Sequence, residues 1–253
     1  MITVDNELNQ GLKDLHLPTM RECYRSEADL ARQESLNYER YLSELVNREC
    51  EVRKDKRIAR LLRESKLPLE KNLEIFDRKR LPTKINALVD HLLEGSFLNR
   101  SENVLAFGNP GSGKTHILCA IALELIQQDR RIIFTQCNLL VQNLLAAKRD
   151  LTLIKVLKKL AKYDALIIDD IGYVQQSREE MEVLFTLLAY CYERTSIMLT
   201  SNLPFSKWEQ IFKDPMTTAA AIDRLVHHSI ILELNLPSYR LEQSKNNCGK
   251  FCQ

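Results

Sequence analysis

Gly108-Asn109-Pro110-Gly111-Ser112-Gly113-Lys114-Thr115 decides how the rest of the chain is read. The eight residues match G-x-x-x-x-G-K-[S/T], a loop whose backbone N–H groups cradle nucleotide phosphates. Gly111 and Gly113 suit a backbone at positive φ and let an anion approach without a Cβ in the way. A helix starting at the loop adds its positive dipole end to that anion nest. Lys114 is then the point charge for the β- and γ-phosphates, and the Thr115 hydroxyl a ligand for Mg²⁺. The expected ligand is a nucleoside triphosphate held by residues Gly108 through Thr115.

The flanks supply the setting that the loop requires. Val104-Leu105-Ala106-Phe107 is an apolar run that reads as a buried parallel strand. From His116 to Gln128, the apolar residues Ile117, Leu118, Ile121, Ala122, Leu125 and Ile126 fall at helical spacing. Beyond them strands and helices alternate. Strands are expected at Arg131–Thr135, Ala165–Asp169, Ser196–Thr200 and Ile230–Leu234. Helices are expected at about Asn138–Ala147, Thr152–Lys162, Arg178–Glu193, Ser206–Phe212 and Thr217–His228. This alternation predicts an α/β fold, a three-layer arrangement with helices on both faces of a parallel sheet.

Upstream, residues 1 to about 75 read as wholly helical. One pattern runs to about Gln33 with Met20, Tyr24, Ala28 and Ala31 near one stripe. Another runs from Tyr38 to Arg63 with Leu42, Leu45, Val46, Ile58, Leu61 and Leu62 apolar. Pro68 and Pro82 punctuate the exit, and a helix over Thr83–Leu98 leads into the loop strand. The expected organisation is a helical N-terminal domain (1–75), an ATPase domain (76–243) and a polar tail (244–253).

Bulk composition narrows the class. With 253 residues, 45% hydrophobic and 28% charged, the chain has the make-up of a globular protein with room for a small second domain. A net charge of +2 announces no global affinity for nucleic acid, so any such surface must be local. No apolar run approaches the roughly 20 residues of a membrane span, so no membrane contact is expected. Residues 1–9 carry acids and no basic n-region, so no signal peptide is expected. Seven cysteines, an odd number and mostly scattered singly, fit reduced thiols in a cytosol. Cys248 and Cys252 lie close in sequence, with no second pair to complete a zinc site.

Ala165-Leu166-Ile167-Ile168-Asp169-Asp170 is an apolar strand that ends in two carboxylates at the edge where an open α/β sheet binds its ligand. Asp169 is suited to hold Mg²⁺, and Asp170 to orient or deprotonate the attacking water. Leu199-Thr200-Ser201-Asn202 closes another strand, and Asn202 stands where it can hold that water together with Asp170. By itself, an Asn after a strand is more often a turn residue.

With these three stretches in hand, the chain resembles an AAA+ ATPase of the initiator and helicase-loader branch. Ala220-Ala221-Ile222-Asp223-Arg224-Leu225-Val226-His227-His228 and Ser238-Tyr239-Arg240 look like that branch's arginine finger (Arg224) and second sensor (Arg240). Leu15-x-Leu17-Pro18, Tyr38-Glu39-Arg40-Tyr41-Leu42 and Leu67-Pro68-Leu69-Glu70-Lys71-Asn72-Leu73 look like the IstB family. Those are ATPase helpers encoded beside the transposase of certain bacterial insertion sequences. The resemblance spans roughly Leu12 to Arg240. It implies ATP and Mg²⁺ as cofactors, a bacterial cytoplasmic location, a homo-oligomer assembled on duplex DNA with little sequence preference, and stimulation of a cognate transposase. One departure stands out: Leu236-Pro237 occupy positions where the family usually has a glycine and an acid.

Two further readings stay open at this point. A DnaC-like replicative helicase loader shares the same ATPase core. A metabolic NTPase or kinase would leave Arg224 and Arg240 without a purpose. Two basic stretches, Arg48–Lys66 and Lys148–Lys162, are candidates for phosphate contact, and the first taken alone reads more readily as a solvated, salt-bridged face.

Overall fold

Short apolar strands cannot satisfy their backbone alone, and here they pair into one parallel sheet. The computed structural model describes residues 2–172, 177–212, 214–239 and 242. Among them lie β1 (Asn103–Gly108), β2 (Ile132–Gln136), β3 (Ala165–Asp169), β4 (Ser196–Ser201) and β5 (Ser229–Leu234), in spatial order β2-β3-β4-β1-β5. All four pairings are parallel. β3 and β4 are buried at every position, as strands covered on both faces must be.

The pleat sorts side chains between two layers. Leu105, Leu166, Ile168, Ile197 and Leu199 join a core with α7 (Cys137–Arg149), α8 (Leu153–Leu160), α9 (Arg178–Cys191), α10 (Glu209–Phe212) and α11 (Pro215–Val226). The alternate residues Val104, Ala106, Ile167 and Met198 are buried outside that cluster. α6 (Lys114–Gln127) packs with α4 (Thr83–Leu93) and touches β1, β2 and β4. The α/β expectation is met, with helices flanking a five-stranded parallel sheet.

Local chemistry fixes the helix starts. α9 begins with a capping box between Ser177 and Glu180, and α11 with the Asp214 carboxylate accepting the Thr217 N–H ahead of Pro215. The single helix expected over Thr83–Leu98 is instead two, because the chain turns left-handed at Gly95 (φ 72°) before α5 (Ser96–Asn99). Nor is the chain helical as far as residue 75. The helix that begins at Tyr38 ends at Ser65, and Pro68, which lacks an N–H, opens a run of turns leading to one 3₁₀ turn at Arg78–Arg80. No helix among the described residues is long and apolar enough to cross a membrane.

The chain divides into two compact units, residues 1–60 and 61–253, with the division falling inside α3 (Tyr38–Ser65). The first contains α1 (Ile2–Asp14) and α2 (Pro18–Gln33), and its buried apolar core is Met20, Tyr24 and Leu45. α2 has no side-chain cap of its own. The buried Glu49 of α3 serves instead, its Oε2 accepting the Met20 N–H at 3.0 Å while Arg53 donates to Oε1 at 2.8 Å. Burial alone would raise the Glu49 pKa. The bonds from Met20, Arg53 and Thr19 outweigh it and hold the carboxyl below the ordinary carboxylate range.

Candidate functional site

The glycine loop leaves β1 at Gly108 and enters α6 at Lys114, with Gly111 at φ 77° and Gly113 at φ 98°. The two glycines expected at positive φ are there. A Cβ on Gly113 would stand 3.0 Å from the Phe76 ring. Lys114 is buried, and its Nζ donates to the carbonyls of Gly108 and Asn109 at 2.8 Å each. The ammonium is thus held over the mouth of the loop.

Sheet register brings the second half of the site alongside. β3 pairs with β4 up to Ile168 and Leu199. The next step along both strands sets Asp169 beside Thr200. The Thr200 hydroxyl donates to Asp169 Oδ1 at 2.7 Å, and the Thr115 hydroxyl donates to the same oxygen at 2.6 Å. A hydroxyl whose proton points at a carboxylate turns its lone pairs outward, toward a cation. The donor set of hydroxyl and carboxylate oxygens is hard and fits Mg²⁺.

Asp170 follows in a left-handed conformation (φ 59°), its N–H donating to Thr200 Oγ1 at 2.8 Å. That backbone is uncommon for a residue with a Cβ, and the Thr200 bond holds it. Asp170 and Asn202 both face a cavity of about 300 Å³ that also takes in Pro110 to His116 of the loop. The Oδ1 of Asn202 and the Oγ of Ser112 are buried there with no hydrogen-bond partner. Buried polar atoms without partners are uncommon, and a bound polar ligand is one cause.

The far wall of the cavity was not legible from residue patterns. Lys71, Phe76, Arg80 and Tyr239 line it. Phe76 meets His116 edge-on at 5.1 Å, and His116 Nε2 is 2.9 Å from the Asn72 carbonyl oxygen. Arg80 donates to the Pro237 carbonyl, pairs with Glu242 and covers the Tyr239 ring. The Tyr239 N–H in turn donates to Gly111 O at 3.0 Å. The segment carrying Pro237 therefore lies against the phosphate loop. Thr200 was likewise missed as a site residue: a threonine inside an apolar strand carries no signal until its neighbours are known.

Arg224 stands apart from this cavity. It is half-buried on α11, donating to the Ala220 carbonyl at 3.0 Å, with its guanidinium carbon 4.9 Å from the centre of the Phe185 ring. It is not among the described residues that line the cavity. Arg240, Cys248 and Cys252 lie outside the described residues. Of the basic stretches, Arg48 pairs with Glu27, Arg53 with Glu49, and Lys148 with Glu182, whereas Lys155, Lys158, Lys159 and Lys162 are exposed. Burial pushes the Cys119 thiol up to about 12 and the Cys191 thiol to about 11, so both are inert side chains of the core.

Comparison with known proteins agrees with this geometry. Among solved structures, the DnaC helicase loader superposes with a TM-score of 0.56 at 16% identity, over 65% of this chain and 96% of its own. DnaA from Aquifex aeolicus bound to AMPPCP superposes at 0.54 with 19% identity, over 74% and 57%. At such identities the likeness is one of fold alone. Sequence relatives are closer. An insertion-sequence ATP-binding protein of Sinorhizobium fredii is 44% identical over 94% of this chain and 80% of its own length. The ATP-binding protein of insertion sequence IS5376 from Geobacillus stearothermophilus is 36% identical over 91% and 92%. That of IS21 from Pseudomonas aeruginosa is 34% identical over 95% and 91%. The sequence profile described as IstB-like ATP binding protein matches residues 10–247, nearly the whole chain, and the chain belongs to that family.

Proposed function

We propose that this protein is an ATP-hydrolysing helper of insertion-sequence transposition, which assembles on duplex DNA and recruits and stimulates a cognate transposase. The observation that carries the reading is the convergence on one cavity of Lys114, Asp170, Asn202 with its unpartnered Oδ1, and Thr115, which bonds the Asp169 carboxylate behind it as Thr200 does. In this reading residues Gly108 to Thr115 hold the triphosphate, and Thr115 and Asp169 hold Mg²⁺. When bound, Mg²⁺ would neutralise charge on the β- and γ-phosphate oxygens. Asp170 orients the attacking water and accepts its proton, and the Asn202 amide holds that water in line. Arg240 is the second sensor.

Arg224 is read as an arginine finger for a neighbouring subunit. Its distance from its own cavity supports that role, because a guanidinium contributes only where the γ-phosphoryl charge develops. ATP would then sit between subunits, and assembly would switch hydrolysis on. The homo-oligomer and the transposase are what the family resemblance implies, and relatives named as insertion-sequence ATP-binding proteins are in keeping with a role in transposition. A structural neighbour is described as DnaA bound to AMPPCP and single-stranded DNA, which is in keeping with a nucleic-acid partner. The exposed Lys155, Lys158, Lys159 and Lys162 are the cations best suited to track phosphates.

The test is a mixing experiment. Arg224→Ala should bind ATP but hardly turn it over, and Lys114→Ala should not bind it. Mixed, they should recover part of the activity, since the first supplies an intact pocket and the second an intact finger. No recovery, with co-assembly verified, would remove the trans finger. Duplex-DNA binding that falls steeply with salt is expected alongside. Capture of a replicative helicase with the transposase ignored would favour the loader reading instead.

A further inference from the structure

A second set of chemically active side chains gathers where α9 and α11 end. Glu193 lies two residues beyond α9, and His227 and His228 immediately follow α11. One ligand atom from each lies within 4.8 Å of the other two, and all three residues are exposed. A tetrahedral ion with bonds of about 2.05 Å places its ligands about 3.3 Å apart. Closing the remaining gap takes no more than about 1.5 Å, within the reach of side-chain rotation at exposed positions.

The surroundings favour a cation. Two helix C-termini bring the negative ends of their dipoles to this spot. The Tyr192 hydroxyl lies 3.1 Å from His227 Nδ1. With Nδ1–H donating to that oxygen, Nε2 keeps its lone pair for a metal and the ring is held in orientation, as outer partners of metal-bound histidines do. The His227 and His228 rings stand 4.1 Å apart, nearly edge to face. Two imidazoles and one carboxylate are the donor set of borderline dications such as Zn²⁺, Co²⁺ or Ni²⁺, and a poor one for Mg²⁺. Three protein ligands leave a fourth position for water.

We propose that Glu193, His227 and His228 form a transition-metal site that ties the end of α9 to the end of α11. Arg224 sits one turn before His227 and rests on Phe185 of α9, so an ion here fixes the two helices at the point from which that arginine projects. The site is separate from the nucleotide cavity and stands whether or not Arg224 is a finger.

The test uses the full-length chain, free of nucleotide, titrated with Zn²⁺ by calorimetry and with Co²⁺ by visible absorption. One equivalent should bind, with cobalt bands characteristic of nitrogen and oxygen ligands and no thiolate charge-transfer band. His227→Ala, His228→Ala and Glu193→Ala should each weaken binding at least about tenfold, and Tyr192→Phe by a smaller factor. A Cys248→Ser/Cys252→Ser variant should bind as tightly as the parent, which separates this site from the thiols. Circular dichroism and ATP affinity, unchanged in the variants, report that they fold; Glu193→Ala, on an exposed turn, decides the matter where a histidine variant does not. Absence of saturable binding up to about 100 µM metal, or binding unaltered by the ligand substitutions, overturns the site.

Discussion

The first unit and the second bury their cores by different means. In residues 61–253, long aliphatic side chains such as Leu105, Leu125, Leu166 and Leu184 have no exposed surface at all, and they are packed in layers on a sheet. Among the described residues of 1–60 the buried apolar cluster is Met20, Tyr24 and Leu45, supplemented by polar ties: Glu49 to the start of α2, and Tyr24 and Arg25 to Asp5. Burial scales with area and is indifferent to pH, whereas a carboxylate tie exists only while it is charged. The larger unit rests on packing and the smaller leans on charge.

The largest difference should appear on truncating a core leucine. Leu166→Ala in β3 is expected to cost about 4 kcal/mol, because a fully enclosed site cannot collapse onto the cavity it leaves. Leu45→Ala should cost about 2 kcal/mol, the low end of the range, since a small helical cluster relaxes around the loss. Chemical denaturation followed in both variants checks the contrast. Equal costs would mean that the first unit is packed as tightly as the second.

Nucleotide should sharpen the contrast. ATP at about 100 times its dissociation constant stabilises the state that binds it by about 2.7 kcal/mol. The melting transition of the second unit should rise accordingly, and Lys114→Ala should abolish the rise by removing the ammonium proposed to bind the phosphates. Differential scanning calorimetry with and without Mg-ATP reads this directly.

Acid should act on the first unit. The folded Glu49 carboxyl lies below its ordinary 4.5, so its contribution is complete above that value and is lost as pH falls through the lower, folded one. Hydrogen-exchange protection of the α2 amides in the full chain should therefore fade on acidification below about pH 4.5. In Glu49→Gln the fade should be shallower, with stability already reduced at neutral pH. A parallel acid response in the two proteins would show that Glu49 does not govern it.

The smallest effect concerns thiols. Cys119 and Cys191 are buried and stay protonated to about 12 and about 11, whereas Cys50 is exposed. A disulfide reagent at about pH 8 should label Cys50 in the native chain well before either core cysteine, as mass spectrometry of digests can follow.

Much of this architecture was written locally. The glycine loop, its strand and its helix are contiguous, and each residue type answers a demand made within a few positions: positive φ at Gly111 and Gly113, a cation at Lys114, a hydroxyl at Thr115. The alternation of short apolar strands with helices fixed the parallel sheet for the same reason, since a strand buried on both faces must be apolar throughout. The helix over residues 83–98 and the helical reading of 66–75 went astray at Gly95 and Pro68, where one residue's backbone overruled the hydrophobic period.

The class of fold, the glycine loop and the two aspartates at a strand end therefore follow from residues close together in the chain. That Thr200 bridges Asp169 and Asp170 follows instead from the folded sheet, because that bond depends on the register between β3 and β4. The same holds for Phe76 against His116, for Arg80 holding the Pro237 segment near the loop, and for Glu193 meeting His227 and His228. Each of these joins residues 30 or more positions apart, and only side-chain packing across the folded sheet and its helices brings such residues together.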